Sequence, residues 1–253
     1  MFIPVSELQS DWNVSANGVL HVGAHKGEEA DEYEGASWTP VTWIEAQPDL
    51  ARNLQEKLDS RVHKVINAAV FDKNDIELSL HISSNSQSSS LLKFGTHKLD
   101  YPEITVNKDL TVTTKRIDAL IDEIHMPNFI NLDIQGVELK ALEGLGTLIR
   151  YVKYIYTEVN RLNVYEDCAN IHDIDDFLKL QGFRRATTRW QWLEGWGDAL
   201  YVRSKEPSRS RSQKLRSFLR LIYFYKPQAK QIFWSMLFHP STFFIGKSKD
   251  LHR

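Results

Sequence analysis

The first seventy residues alternate two patterns, and that alternation most constrains the fold. Short apolar runs at 18–22 (GVLHV), 41–46 (VTWIEA) and 62–70 (VHKVINAAV) are separated by stretches with helical spacing. Continuous apolar runs of this length read as strands buried on both faces. Lys26 to Tyr33, rich in Glu and Ala, reads as a helix. Pro48 stands where a second helix starts, with Leu50, Leu54 and Leu58 at helical spacing. Strand, helix, strand, helix, strand predicts parallel βαβ units, hence an α/β, doubly wound sheet.

The pattern thins and then resumes. Residues 75–82 and 104–114 read as strands, 83–90 (SSNSQSSS) as a polar loop and 116–124 as a short helix. A strand over 128–134 leads through Gln135-Gly136 into a helix over 137–149. A strand at 152–159 and a helix at 171–181, capped by Gly182, follow. Residues 183–193 and 197–203 are expected to form a closing antiparallel hairpin around Gly195-Trp196-Gly197.

Charge divides the chain in two. Residues 205–253 hold 11 Lys and Arg against 2 Asp and Glu; residues 1–204 hold 20 against 31. We therefore expect a domain over 1–204 and a basic, aromatic, helical extension over 205–253. In the extension Leu215, Phe218, Leu219, Ile222 and Tyr223 share one helix face. Residues 209–237 then suit contact with an anionic membrane surface, or with the acidic body of the same or another subunit. Nucleic acid is not expected, because the aromatics follow a helix stripe rather than a stacking platform.

Cys168 is the only cysteine, which excludes a disulfide framework and a cysteine-cluster metal site. The first residues lack the basic and apolar regions of a secretory signal, and no apolar run reaches the roughly 20 residues of a spanning helix. A cytoplasmic protein is expected, with peripheral membrane contact through the tail as an option.

Four segments carry the chemistry. His21-Val22-Gly23-Ala24-His25-Lys26-Gly27 ends a strand in a tight turn. Its glycines let a ligand approach the backbone, and free N–H groups wait at the following helix start. Its G-x-x-x-G spacing is not that of a dinucleotide fingerprint. Glu45 ends the second strand 22 residues after Gly23, where a carboxylate takes the ribose hydroxyls in doubly wound nucleotide binders. Asp133 ends a third strand, facing the same crevice. Glu138, one turn into the next helix, suits either the helix N-terminus or a substrate. Glu158 ends a fourth strand, as a general base or as one half of a salt bridge. The histidines form no metal-ligand pattern. His21 reads as a core residue and His25 as the ligand contact; no metal is expected.

In order and spacing, HVGAHKGEE (21–29), WIEAQPDL (43–50), NAAVFD (67–72), SSSLL (88–92), LDIQGVELKALEG (132–144), YTEVN (156–160) and WGDALYV (196–202) resemble the FkbM-type methyltransferases. That is a class I group dependent on S-adenosylmethionine. The resemblance runs from about Gly18 to Arg203. It implies a mostly parallel seven-stranded sheet whose last strand is antiparallel. It implies that Gly23, Ala24, His25 and Gly27 wrap the methionine end of S-adenosylmethionine, with Asp133 close by. Glu45 and Ala46 would hold the ribose, and Ala68 would lie near the adenine. It also implies O-methylation, often of sugars or natural-product scaffolds. One departure is Gln135, where many members carry an acid. The candidate bases are Asp133, Glu158 and His25, in that order. The loop 83–92 and the Trp196-Gly197-Asp198 hairpin are expected at the acceptor site, with Ser89, Ser90, Gln135, Asn160 and Trp196 as the expected acceptor contacts. Competing readings are an NAD-dependent oxidoreductase on a similar fold and a catalytically degenerate binding scaffold.

Overall fold

The apolar runs become the strands of one central sheet. The computed structural model describes residues 1–204 except 97, 99, 100, 192 and 193. In chain order the elements are α1 (Val5–Trp12), β1 (Val19–Val22), α2 (Ala30–Gly35), β2 (Val41–Glu45), α3 (Pro48–Lys57), β3 (His63–Asn67), β4 (Ala69–Val70), β5 (Glu77–Ser83), β6 (Val106–Lys115), β7 (Phe129–Leu132), α4 (Glu138–Gly144), β8 (Tyr154–Asn160), α5 (Ile171–Leu180), β9 (Phe183–Trp190) and β10 (Trp196–Arg203).

Seven strands pair in the order β3-β2-β1-β7-β8-β10-β9. The first five are parallel, and β10 runs antiparallel to both neighbours. This is the α/β, doubly wound architecture expected, antiparallel last strand included. A smaller sheet, β4-β6-β5, stands beside it.

Alternate residues of the central strands feed two cores. Leu20, Val22, Ile44, Ile130 and Leu132 pack with α4 and α5 on one face. Val19, Val41, Trp43 and Phe129 pack with α1, α2 and Trp38 on the other. Burial on both faces is why these strands read as unbroken apolar runs.

Several boundaries moved, each for a local reason. The helix expected from Lys26 begins only at Ala30, because His25 (φ 46°) and Gly27 (φ 67°) are left-handed. The third strand divides at Ala68. Its N–H still donates to the Glu45 carbonyl, while Ala69 and Val70 pair with β6. The helix expected over 137–149 stops at Gly144; Gly146 is left-handed, and a 3-10 turn covers Gly146–Tyr151. Short 3-10 turns replace the helix expected over 116–124. Helix α1 had no counterpart in the sequence reading. The basic linker and the helix expected beyond 204 lie outside the described residues. Among the described residues, no helix is long and apolar enough to cross a membrane.

Candidate active site

Strand register builds the site. Val22 lies opposite Ile44 on β2 and Leu132 on β7, so Glu45, Gly23 and Asp133 follow side by side at the carboxyl edge. Leu132 pairs with Thr157 and Asp198 with Glu158, which extends the row to β8 and β10. One row thus reads Glu45, Gly23, Asp133, Glu158, Asp198. Ligands of open α/β sheets bind at this edge. Gly23 is the joint. Its φ is +88°, and a Cβ there would sit 1.9 Å from the Asp133 carbonyl oxygen.

Two cavities open on this row. The first, about 580 Å³, is lined by Ile44, Glu45, Ala46, Ala68, Val70 and Leu80 together with Ser86, Gln87, Ser89, Ser90 and Leu91. Glu45 is buried here. One carboxylate oxygen accepts from the His25 N–H and the other from the Gln47 N–H, both at 2.8 Å. Burial raises its pKa, while those donors and His25 oppose the rise. Each oxygen keeps a lone pair for a further donor. The His25 ring is held between Glu28 Oε1 on Nδ1 (2.6 Å) and Ser86 Oγ on Nε2 (2.7 Å).

The second cavity, about 1200 Å³, is rich in carboxylates: Glu28, Glu29, Asp133, Glu158 and Asp198. None of its described lining residues is Lys or Arg. Phe2 and Trp196 pair at its wall with ring centroids 5.0 Å apart. Burial, then the charges of Glu138 and Asp133, push the Glu158 carboxyl well above the usual range. Loss of surrounding water and the Asp198 charge push Asp133 up to about 6. The Asp133 residue is exposed at the open cavity. Asp198 is raised by burial, against hydrogen bonds from the Phe2 N–H and the Tyr156 hydroxyl.

Gln135 joins the cavities and lines both. Its Nε2 donates to Asp133 Oδ1 at 2.6 Å and to Glu158 Oε2 at 3.0 Å. Its Oε1 accepts from the Tyr165 hydroxyl, and its backbone carbonyl from Ser90 Oγ at 2.6 Å.

The expected residues divide between the cavities. Gly23, His25, Glu45, Ala46, Ala68, Ser89, Ser90, Asp133 and Gln135 line the first; Gly23, Ala24, His25, Asp133, Gln135, Glu158 and Trp196 line the second. Ser89 and Ser90, expected at the acceptor, thus sit in the chamber of Glu45 and Ala68. Gly27 lines neither; a Cβ there would lie 2.6 Å from Leu54 on α3. Asn160 also lines neither. It is buried beside Glu158 on β8. Glu138 takes the helix-terminus role, its carboxylate accepting from the Ile134 and Gly136 N–H groups. His21 is buried, stacked on Trp43 and in contact with the Tyr33 hydroxyl, though it also borders the second cavity. Glu28, Ser86, Tyr165 and Asp198 were not singled out. Asp198 and Glu28 lie inside quoted motifs, and register would have found Asp198. Ser86 lies in the polar loop expected at the acceptor; nothing local marks Tyr165, which arrives from another loop.

The family model of the FkbM methyltransferase domain matches residues 21–185. A magnesium protoporphyrin IX methyltransferase from Synechocystis, with bound S-adenosylmethionine, is 14% identical with a TM-score of 0.42; the alignment covers 79% of this chain and 76% of that one. The mitomycin 7-O-methyltransferase is 11% identical with a TM-score of 0.40, covering 79% of this chain and 54% of that one. A search of the curated proteins finds no match.

Proposed function

The chain belongs to the FkbM methyltransferase family, and from that premise we propose that it transfers a methyl group from S-adenosylmethionine to a hydroxyl of a sugar or small molecule. The observation that carries this reading is the division of one strand-end row into two adjoining cavities. One is narrow and mostly neutral; the other is broad and lined by carboxylates.

The residues of the first cavity fit an adenosyl group. Glu45 keeps two lone pairs, the count a ribose diol needs, and Ala46, Ala68 and Val70 leave flat apolar walls for a base. At Gly23 the backbone is bare toward the ligand. When bound, S-adenosylmethionine supplies a methyl group already activated on a sulfonium. The protein is left to align the acceptor oxygen and exclude water, work that contributes up to roughly 7–11 kcal/mol in ideal cases.

Asp133 lines both cavities and is the leading base. A hydroxyl bound beside it would pass its proton to the carboxylate. Such a base adds perhaps 10²–10⁴-fold, most when its pKa lies near the working pH; the upward shift of Asp133 serves that purpose. Glu158 and His25 follow. A wall of carboxylates without Lys or Arg suits hydroxyl donors better than phosphorylated or carboxylated acceptors. Hydride transfer is not favoured: the family is one of methyltransferases, and the loop lacks the middle glycine a pyrophosphate needs.

Thermal shift and calorimetry with S-adenosylhomocysteine, S-adenosylmethionine and NAD test the cofactor. Stabilisation by the adenosyl ligands is expected; stabilisation by NAD alone overturns the reading. Methyl-labelled S-adenosylmethionine against panels of sugars, phenols and amines tests the acceptor, and label found only on nitrogen overturns O-methylation.

A further inference from the structure

We propose that Gln135 takes the place of a divalent cation between Asp133 and Glu158, so that an amide holds the carboxylate pair and the site binds no divalent metal. The proposal rests on the second cavity being the acceptor site.

Two carboxylates converging on one point are the usual start of a Mg²⁺ or Mn²⁺ site, with oxygens about 2.0–2.2 Å from the ion. Here that point holds the Gln135 amide nitrogen, 2.6 Å from Asp133 Oδ1 and 3.0 Å from Glu158 Oε2. The NH₂ group has two hydrogens, and each carboxylate takes one. Its donor capacity is spent on the pair.

The amide is fixed in this orientation. A flip would turn Oε1 toward two carboxylates and lose both hydrogen bonds to them, while the Tyr165 hydroxyl would change from donor to acceptor. The backbone holds it as well. Gln135 is left-handed (φ 57°), and its carbonyl accepts from Ser90 Oγ. Gly136 beside it is packed so tightly that a Cβ would lie 3.1 Å from both Tyr165 and Cys168. The backbone of the turn is thus held in place, and the amide is held on it by its hydrogen bonds to Asp133, Glu158 and Tyr165. Among the described residues, no three His, Cys, Asp or Glu side chains form a metal-holding group.

An amide joins the pair but adds no charge, so the pair is free to take a proton from an acceptor hydroxyl. A bound cation would compete with that proton. Gln135 is a positioning residue in this account, acting through Asp133 and Glu158.

The test is thermal shift of the chelator-treated full chain with MnCl₂ or MgCl₂ alone, for wild type, Gln135→Glu and Tyr165→Phe. Wild type should not respond at about 1 mM metal, since a site of useful affinity would show as stabilisation by mass action. Gln135→Glu replaces the donor with a third carboxylate and should gain several degrees with Mn²⁺. Tyr165→Phe, which frees the amide to turn its oxygen inward, should gain a smaller rise. Stabilisation of wild type that disappears in Asp133→Asn overturns the proposal, as does a flat response of both variants. S-adenosylhomocysteine binding, read separately, shows that each variant is folded. Its absence in wild type would sink the methyltransferase reading while leaving the metal result to judge Gln135.

Discussion

The two cavities meet at Gly23, yet their acids are held by different means. On the β2 side, Glu45 is pinned by two backbone N–H groups, from His25 and Gln47. On the β7–β8–β10 side, Asp133 and Glu158 are held by the Gln135 side chain, and Asp198 partly by the Tyr156 hydroxyl. Backbone donors follow from the turn itself and survive most substitutions nearby. Side-chain donors are lost or gained by one mutation. The first arrangement suits a ligand that never changes, and the second a chamber retuned for its acceptor.

The largest expected effect comes from breaking the joint. Gly23→Ala adds a Cβ where 1.9 Å separates it from a backbone oxygen, at a φ of +88°. Left-handed strain costs roughly 1–2 kcal/mol and overpacking about 1–3 more. Urea unfolding should show a loss of about 3 kcal/mol, with S-adenosylhomocysteine binding abolished. Wild-type binding by a folded Gly23→Ala would show that the two chambers do not meet at this residue.

Next in size is Glu45→Gln. The amide oxygen replaces one acceptor, but the NH₂ group must face a backbone N–H and cannot take two ribose hydroxyls. Hydrogen bonds to charged groups contribute about 1.5–3 kcal/mol, so calorimetry should record S-adenosylhomocysteine binding weakened by about 10–100-fold. Equal affinity would remove Glu45 from the adenosyl chamber.

Much of the neutral side was legible in sequence, because it depends on local signals. The apolar run ending at Glu45, the Gly23 turn and Pro48 at the start of α3 each announce their own structure. Asp133 and Glu158 were legible for the same reason, as acids closing apolar strands. The partners that give the other side its chemistry were not. Tyr165 comes from a loop, and Asp198 from a strand whose register follows only from its pairing with β8. Their sequence neighbourhoods say nothing about which carboxylate they reach. Gly27 is a different case. Its left-handed turn was readable in kind, but whether it faces a ligand or Leu54 is decided by where α3 packs.

The smallest expected effect concerns pH and sharpens the same contrast. Asp133 (raised from 3.8 to about 6), Glu158 and Asp198 all hold protons more tightly in the folded chain than in the unfolded one. Between those two ranges the folded state carries the extra protons, so stability falls as pH rises. For Asp133 the fall starts near pH 4 and is complete a little above 6; Glu158 extends it upward. Glu158→Gln removes one buried charge that the fold must otherwise tolerate. Urea unfolding should show this variant more stable than wild type by about 1 kcal/mol at pH 8, the order of a typical single substitution. The difference should shrink as pH falls toward 4, where Glu158 is protonated in the folded state and mostly so in the unfolded one. S-adenosylhomocysteine affinity should stay within about twofold, because Glu158 borders only the second cavity. Glu45→Gln should behave otherwise: burial raises Glu45 too, but losing a backbone-bonded acceptor costs stability at both pH values. Were Glu158→Gln to lose stability equally at pH 4 and pH 8, its carboxylate would be a structural anchor like Glu45, and the two sides of the cleft would differ in address alone.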